Sequence, residues 1–242
     1  GCGFAGCRNF AESLVAKADA EKSIEGLNCP VGGSAVMKQV AAILGLEAGE
    51  VEPKIAVIRC NGSFANAPSK VQYDGPATCA FAHNLYAGAS GCQFGCHGLG
   101  DCVEACTFDA IYMDPGTGLP VVLDNCVACG ACVKACPRSI IELRNRGKKE
   151  RRIYVCCVNK EKGGPARKNC TVACIACGKC VEACAYDAIT LENNLAYIDF
   201  LKCKLCRKCV LVCPTDAIHE LNFPPRKEEK PAEERSGKAS KE

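Results

Sequence analysis

Three runs of C-x2-C-x2-C-x3-C constrain this chain more than anything else in it: Cys126, Cys129, Cys132 and Cys136; Cys174, Cys177, Cys180 and Cys184; Cys203, Cys206, Cys209 and Cys213. Thiols this crowded pair poorly as disulfides, which need a narrow range of separations and torsions, and disulfide frameworks belong to small secreted domains. The same spacing suits four-iron cubes. A C-x2-C-x2-C loop wraps three corners of one cube, and the fourth Cys, often followed by Pro, is directed at a neighbouring cube. Pro137 and Pro214 follow two of the fourth cysteines. With 24 cysteines in 242 residues, the expectation is thiolate ligation in a reducing compartment, and one-electron transfer through several 4Fe-4S clusters. Structural zinc also accepts paired C-x2-C groups. Zinc knuckles lack the x3 fourth Cys and the paired repeat, so a zinc-stabilised binding module is the weaker alternative.

Four segments repeat one another: Cys102-Val103-Glu104-Ala105-Cys106, Cys132-Val133-Lys134-Ala135-Cys136, Cys180-Val181-Glu182-Ala183-Cys184 and Cys209-Val210-Leu211-Val212-Cys213. Three run on into Asp-Ala-Ile at Asp109, Asp187 and Asp216, and the remaining one into Ser139-Ile140-Ile141. Each copy is expected to form a short helical turn, a tight turn and a strand. Between paired copies lie hairpins, Tyr112 to Leu123 and Thr190 to Asp199, with Asp114-Pro115-Gly116 and Asn193-Asn194 at their turns. The expected fold class is α+β, a small helical 4Fe-4S domain followed by two bacterial-ferredoxin-like modules of βαβ-βαβ type. The expected boundaries are 1–46 for the helical domain, 47–91 for a linker containing a strand at Ile55 to Ile58, and 92–146 for the first module. A basic linker and strand at 147–169, the second module at 170–222 and a disordered charged tail at 223–242 complete the chain. Helical spacing covers Arg8 to Gly26 and Ser34 to Leu46, with Phe10, Leu14 and Val15 on one face and Val36, Val40, Ile43 and Leu44 on another.

Crossing the fourth ligands assigns Cys174, Cys177, Cys180 and Cys213 to one cube, and Cys184, Cys203, Cys206 and Cys209 to its neighbour. In the first module Cys106, Cys126, Cys129 and Cys132 form one set. The other run, Cys96, Leu99 and Cys102, is irregular, with Leu99 where a ligand belongs and Cys136 crossing to it. Cys92 precedes Cys96 by four residues, as Cys170 precedes Cys174, and is the expected substitute. A 3Fe-4S cube on Cys96, Cys102 and Cys136 alone is the competing reading. Cys60, Cys79, Cys157 and Cys170 are left over. On one reading they are inert buried thiols; on the other they hold one more cluster, because Cys60 and Cys157 each end an apolar strand while Cys79 and Cys170 each follow a loop. Cys60 and Cys79 are also reserve candidates for the irregular cube. Cys156, His83, His97 and His219 receive no role.

Ahead of the modules stand Cys2-x4-Cys7 and, further on, Cys29-Pro30-Val31-Gly32-Gly33. These resemble the small 4Fe-4S domain of pattern C-x2-C-x4-C, a helix, then C-P, found in the B subunit of Rnf complexes and in corrinoid iron-sulfur proteins. Together with Gly3-Phe4-Ala5-Gly6-Cys7-Arg8 and the order of domains, they make the chain from Cys2 to about Leu221 resemble the long form of the Rnf B subunit. That complex is a membrane-bound ferredoxin:NAD oxidoreductase that couples electron transfer to ion pumping. The resemblance implies that Cys2, Cys7 and Cys29 hold an N-terminal cluster whose first ligand lies two residues before Gly1, so that the chain begins inside the motif and after a membrane helix. It further implies at least five clusters, a place at the cytoplasmic face of the membrane, and transfer of electrons from reduced ferredoxin to the membrane subunits. The alternative is a polyferredoxin subunit of another, soluble redox complex, which an upstream soluble domain in place of a hydrophobic helix would favour.

Other classes are disfavoured by what the residues do not provide. A net charge of +3 and few aromatics give neither a basic face nor a stacking platform for nucleic acid. No Gly-rich loop follows a strand with dinucleotide-binding spacing, so nicotinamide chemistry is expected in another subunit. No acid-base pair accompanies a nucleophile, leaving no small-molecule substrate for this chain and an enzymatic role only as an electron-transfer subunit. The basic run Arg144, Arg146, Lys148, Lys149, Arg151 and Arg152 is either a solvated linker or a patch that steers an acidic ferredoxin.

Overall fold

The computed structural model describes residues 2–47, 52–85 and 88–226. Residues 227–242, most of the expected tail, lie outside them. At the N-terminus, α1 (Cys7–Glu21) buries Phe10, Leu14 and Ala18, which share a face because they are spaced four apart. Lys22 closes the helix with φ 53, a left-handed residue at its end, so the helix stops short of the expected Gly26. Helix α2 (Gly33–Ile43) buries Met37 and Ala41 against that face. Ile43, expected in the core, is 84% exposed. At 100° per residue, a face centred on Met37 and Ala41 keeps Val40 and Leu44 at its flanks and turns Val36 and Ile43 away.

The rest of the described chain is one element order used twice. It runs β1 (Lys54–Ile58), α3 (Cys79–Leu85), α4 (Asp101–Glu104), β2 (Ile111–Asp114), β3 (Leu119–Val122), α5 (Ala131–Ala135) and β4 (Ile141–Asn145). After a 3-10 turn at Lys148–Glu150 come β5 (Arg152–Val155), α6 (Gly163–Asn169), α7 (Lys179–Glu182), β6 (Ile189–Glu192), β7 (Leu195–Ile198), α8 (Lys208–Leu211) and β8 (Ile218–Leu221). Hairpins β2–β3 and β6–β7 form as the turn residues suggest. The first strand of each half pairs antiparallel with its last, β1 with β4 and β5 with β8. Strands that the sequence assigns to linkers therefore close the two halves. Between each helical turn and its strand sits one residue of positive φ, Asp109, Ser139, Asp187 or Asp216, at 47 to 52°. Short polar side chains tolerate that left-handed corner better than bulkier ones.

Strands β1 and β5 are apolar without alternation because both of their faces are covered. Ala56 and Ile58 enter a core with Ile111, Leu119, Ile140 and Ile141. On the other face, Ile55 and Val57 meet Tyr154 and Cys156. Ile153 and Val155 complete the mirror arrangement, packing with Ile189, Ile198 and Ile218. Two arginines flank this joint. Arg144, 1% exposed, is ion-paired with Glu142 and lies over the rings of Tyr197 at 5.2 Å and Phe200 at 5.6 Å. Arg59 lies over Tyr197 at 5.0 Å and donates to the carbonyls of Val155 and Cys157.

Much of the basic run is thus structural, which corrects the expectation of a wholly solvated linker. Arg144 and Arg152 are buried, and Arg146 donates to the carbonyls of Asp124 at 2.8 Å and Cys126 at 2.9 Å. Within the run, only Lys148 and Lys149 are exposed. The expected tail also begins too early, because Phe223 packs into the second-half core beneath Arg151 and Arg207.

Candidate iron-sulfur centres

The cysteine loops share one backbone device. Two residues after the first Cys of a run, Ala128, Ala176 and Leu205 take φ of 54, 55 and 56°. At the first of these the Ala128 N–H donates to Cys126 Sγ at 3.4 Å, and the Leu205 N–H donates to the Cys203 thiol in the same way. A second positive φ, at Gly130, Gly178 or Arg207, leads into the short helix that carries the third Cys. The loop thereby turns its sulfurs inward and aims peptide donors at them. Such donors stabilise thiolate and tune the potential of a cluster.

The thiols surround cavities in crossed sets. Cys106, Cys126, Cys129 and Cys132 line one. Cys174, Cys177, Cys180 and Cys213 line another. Cys184, Cys203, Cys206 and Cys209 line a third. Each takes three thiols from one run and the last from its partner. Burial, followed by neighbouring thiols, pushes Cys132 and Cys209 up to about 12 and Cys180 to about 11. Thiols so close cannot all ionise without a compensating cation, which iron supplies as it displaces their protons. Among the described residues no three His, Cys, Asp or Glu side chains converge on one metal-ion position. The sulfurs ring a space instead, as the corners of a cube require.

The irregular run lines a fourth cavity, with Cys79, Cys96, Cys102 and Cys136. Cys92, the expected substitute, is not among its lining residues; Cys79 is. The loop keeps its shape despite Leu99, since Gly98 has φ 75 and its N–H donates to Cys96 Sγ at 3.4 Å. Peptide N–H groups of Leu99 and Asp101 donate to the Cys79 sulfur. The Asp101 carboxylate accepts the N–H groups of Cys79 at 2.6 Å and Ala80 at 3.0 Å, holding the start of α3 against the loop. Thr78 adds a side-chain cap, accepting the Phe81 N–H at 3.2 Å. A capping Thr directly before Cys79 is the readable signal of a helix start. His97, left without a role by the sequence, borders this cavity with Nε2 buried and unpartnered. Burial, with Arg138 and His83 nearby, pushes its pKa down to about 4, so the ring is neutral. Such an orphaned polar atom fits a cavity whose polar contents complete it.

Cys92 lies elsewhere, packed with Ala67, Cys157 and Cys170, and its sulfur accepts from Asn159 Nδ2 at 3.5 Å. In the N-terminal part, Cys2 and Cys29 pack against the α1–α2 core, and the Gly32 N–H donates to Cys29 Sγ at 3.2 Å. Cys7 opens α1 and is exposed.

A family model described as a 4Fe-4S dicluster domain matches residues 90–140 and 173–219. Over 84% of its length the chain is 43% identical to the B subunit of the Na(+)-translocating ferredoxin:NAD(+) oxidoreductase complex of Acetobacterium woodii, and it spans 59% of that protein. It is 41% identical to the B subunit of the proton-translocating ferredoxin:NAD(+) oxidoreductase complex of Clostridium ljungdahlii, covering 69% of it. It is 39% identical to the B subunit of the ion-translocating oxidoreductase complex of Methanosarcina acetivorans, covering 74% of it. With ferredoxin-type thiol loops and relatives that agree over most of its length, the chain belongs to the B-subunit family of Rnf-type ion-translocating oxidoreductase complexes.

Proposed function

We propose that this chain carries single electrons from reduced ferredoxin toward other subunits of an ion-translocating ferredoxin:NAD oxidoreductase at the cytoplasmic face of a membrane. The observation that carries the reading is the set of four cavities, each lined by four cysteines: three of them draw on two runs, and the fourth on the interrupted run, the partner run and α3. We assign 4Fe-4S cubes to Cys79, Cys96, Cys102 and Cys136; to Cys106, Cys126, Cys129 and Cys132; to Cys174, Cys177, Cys180 and Cys213; and to Cys184, Cys203, Cys206 and Cys209. Cys2, Cys7 and Cys29 contribute to an N-terminal cluster. The clusters supply reversible one-electron redox chemistry. The chain supplies thiolates, peptide N–H donors to sulfur and an apolar shell that limits water, which together set the potentials. Crossed ligation keeps paired cubes at neighbouring positions. Ferredoxin as donor and other subunits of a complex as acceptors are supported by the names of the relatives, B subunits of ferredoxin:NAD(+) oxidoreductase complexes. Among the described residues no helix is long and apolar enough to cross a membrane.

Iron and labile sulfide counted on anaerobically reconstituted protein test this reading. The four-thiol cavities alone should take about 16 iron atoms, at about four per cube. Colourless protein with stoichiometric zinc overturns it.

A further inference from the structure

Four thiols outside those sets, Cys60, Cys92, Cys157 and Cys170, are each at most 9% exposed. They are two pairs of equivalents under the repeat. Cys60 stands two residues beyond β1 and Cys157 two beyond β5, while Cys92 and Cys170 each precede the first Cys of a run by four. Their surroundings repeat too. The Cys96 N–H donates to Cys60 Sγ at 3.4 Å, and the Cys174 N–H donates to Cys157 Sγ at 3.4 Å.

These pairs meet across the joint between the halves. A side-chain carbon placed on Gly62 would stand 3.3 Å from Ala67 Cβ, 3.5 Å from Cys60 Sγ and 3.7 Å from Cys170 Sγ, so the glycine backbone runs close beside both sulfurs and brings them to one place. Asn159 links the other two, with its Nδ2 donating to Cys92 Sγ at 3.5 Å and its peptide N–H to Cys157 Sγ at 3.4 Å. The backbone device of the cluster loops, in which the N–H two residues on donates to sulfur, recurs three times. It joins Gly62 to Cys60, Asn159 to Cys157 and Val172 to Cys170. Inert core thiols are weak acceptors and need no such repeated array.

We propose that Cys60, Cys92, Cys157 and Cys170 together hold a further four-iron cluster at the joint. It relays electrons between the cube on Cys79, Cys96, Cys102 and Cys136 and the cube on Cys174, Cys177, Cys180 and Cys213. This rests on the reading of the chain as a cluster carrier. In each transfer one cube is oxidised by one electron and its neighbour reduced by one; no proton moves and no bond is made or broken. Cys60 touches the first-half run at Cys96 and Cys157 touches the second-half run at Cys174, so the site adjoins both.

The full chain, reconstituted anaerobically, should lose about four iron and four sulfide atoms in the double variant Cys60→Ala/Cys157→Ala. The control Cys156→Ser should lose none, because Cys156 belongs to no set and its Sγ donates only to the Ile58 carbonyl, which a hydroxyl can also do. Unchanged iron and sulfide in the double variant overturn the proposal, whereas a parent protein without iron overturns the cluster reading itself. If the double variant does not fold, Asn159→Leu decides. Iron should stay constant while one cluster midpoint moves to lower potential, since a donor to sulfur that favours the reduced state is gone; no shift in any midpoint counts against the site.

Discussion

The two halves of this protein share an element order and differ in how they gather sulfur. In the second half two complete runs furnish the eight thiols of its two cavities. In the first half Leu99 interrupts one run, and the eighth thiol arrives from α3, some twenty residues upstream. The backbone of the interrupted loop has hardly responded: Gly98 keeps the positive φ seen at Ala128, Ala176 and Leu205. The Leu99 peptide donates to the imported Cys79. The cavity is therefore a property of the loop's backbone, and the origin of a given thiol is secondary.

Replacing Cys79 by Ala should have the largest consequence. We expect loss of about one iron atom if the first-half cube survives as a three-iron form, and about four if it does not. Adding Leu99→Cys should restore it, since that change rebuilds a regular run in place. An unaltered iron count and paramagnetic spectrum in Cys79→Ala would break the equivalence of the halves. Next in size is Arg144→Met at the joint. It leaves Glu142 with only Arg59 and removes the cation over three rings, a loss of about 3 kcal/mol. A lower denaturant midpoint for loss of visible absorption is the readout.

Asp101→Ala should cost about 1 kcal/mol through the lost cap on α3. Its signature is selective: a chelator should strip the Cys79 cube first while the second half keeps its iron. Equal lability of all cubes would show that Asp101 does not hold Cys79 in place. The smallest effect belongs to Lys148→Glu with Lys149→Glu. Two exposed charges on one turn should change the stopped-flow rate of ferredoxin oxidation by no more than about twofold at low salt. A much larger, salt-sensitive drop would restore a docking role to that turn.

The regular runs are legible because their ligands are local: spacing alone implies the loop and the crossing. Cys79 is legible only as a reserve candidate, since its partner loop lies beyond a stretch without periodicity, and what ties them is a carboxylate at Asp101 that spacing does not reveal. The offset linking Cys92 to Cys170 is visible in the sequence as an equivalence, whereas the packing of Cys92 with Ala67, Cys157 and Cys170, away from the residues that line the cavity of the irregular run, is not. Strands β1 and β5 look like pieces of linker because strands buried on both faces carry no alternation, and their pairing partners lie some ninety and seventy residues away. Arg144 and Arg152 mislead for a related reason. A charge run is usually solvated, and only the packing of Tyr154, Tyr197 and Phe200 discloses that Arg144 lies inside.

Crossed sets also limit how such a chain can grow. Copying one run delivers three sulfurs for a new cavity and a fourth aimed at a neighbour that does not exist, so a single inserted copy is incomplete in both directions. Only a doubled copy closes on itself. Lineages that lengthen this architecture should therefore do so by whole pairs, and a run interrupted as at Leu99 can be completed only by a thiol brought in from outside the pair, such as one on a passing helix.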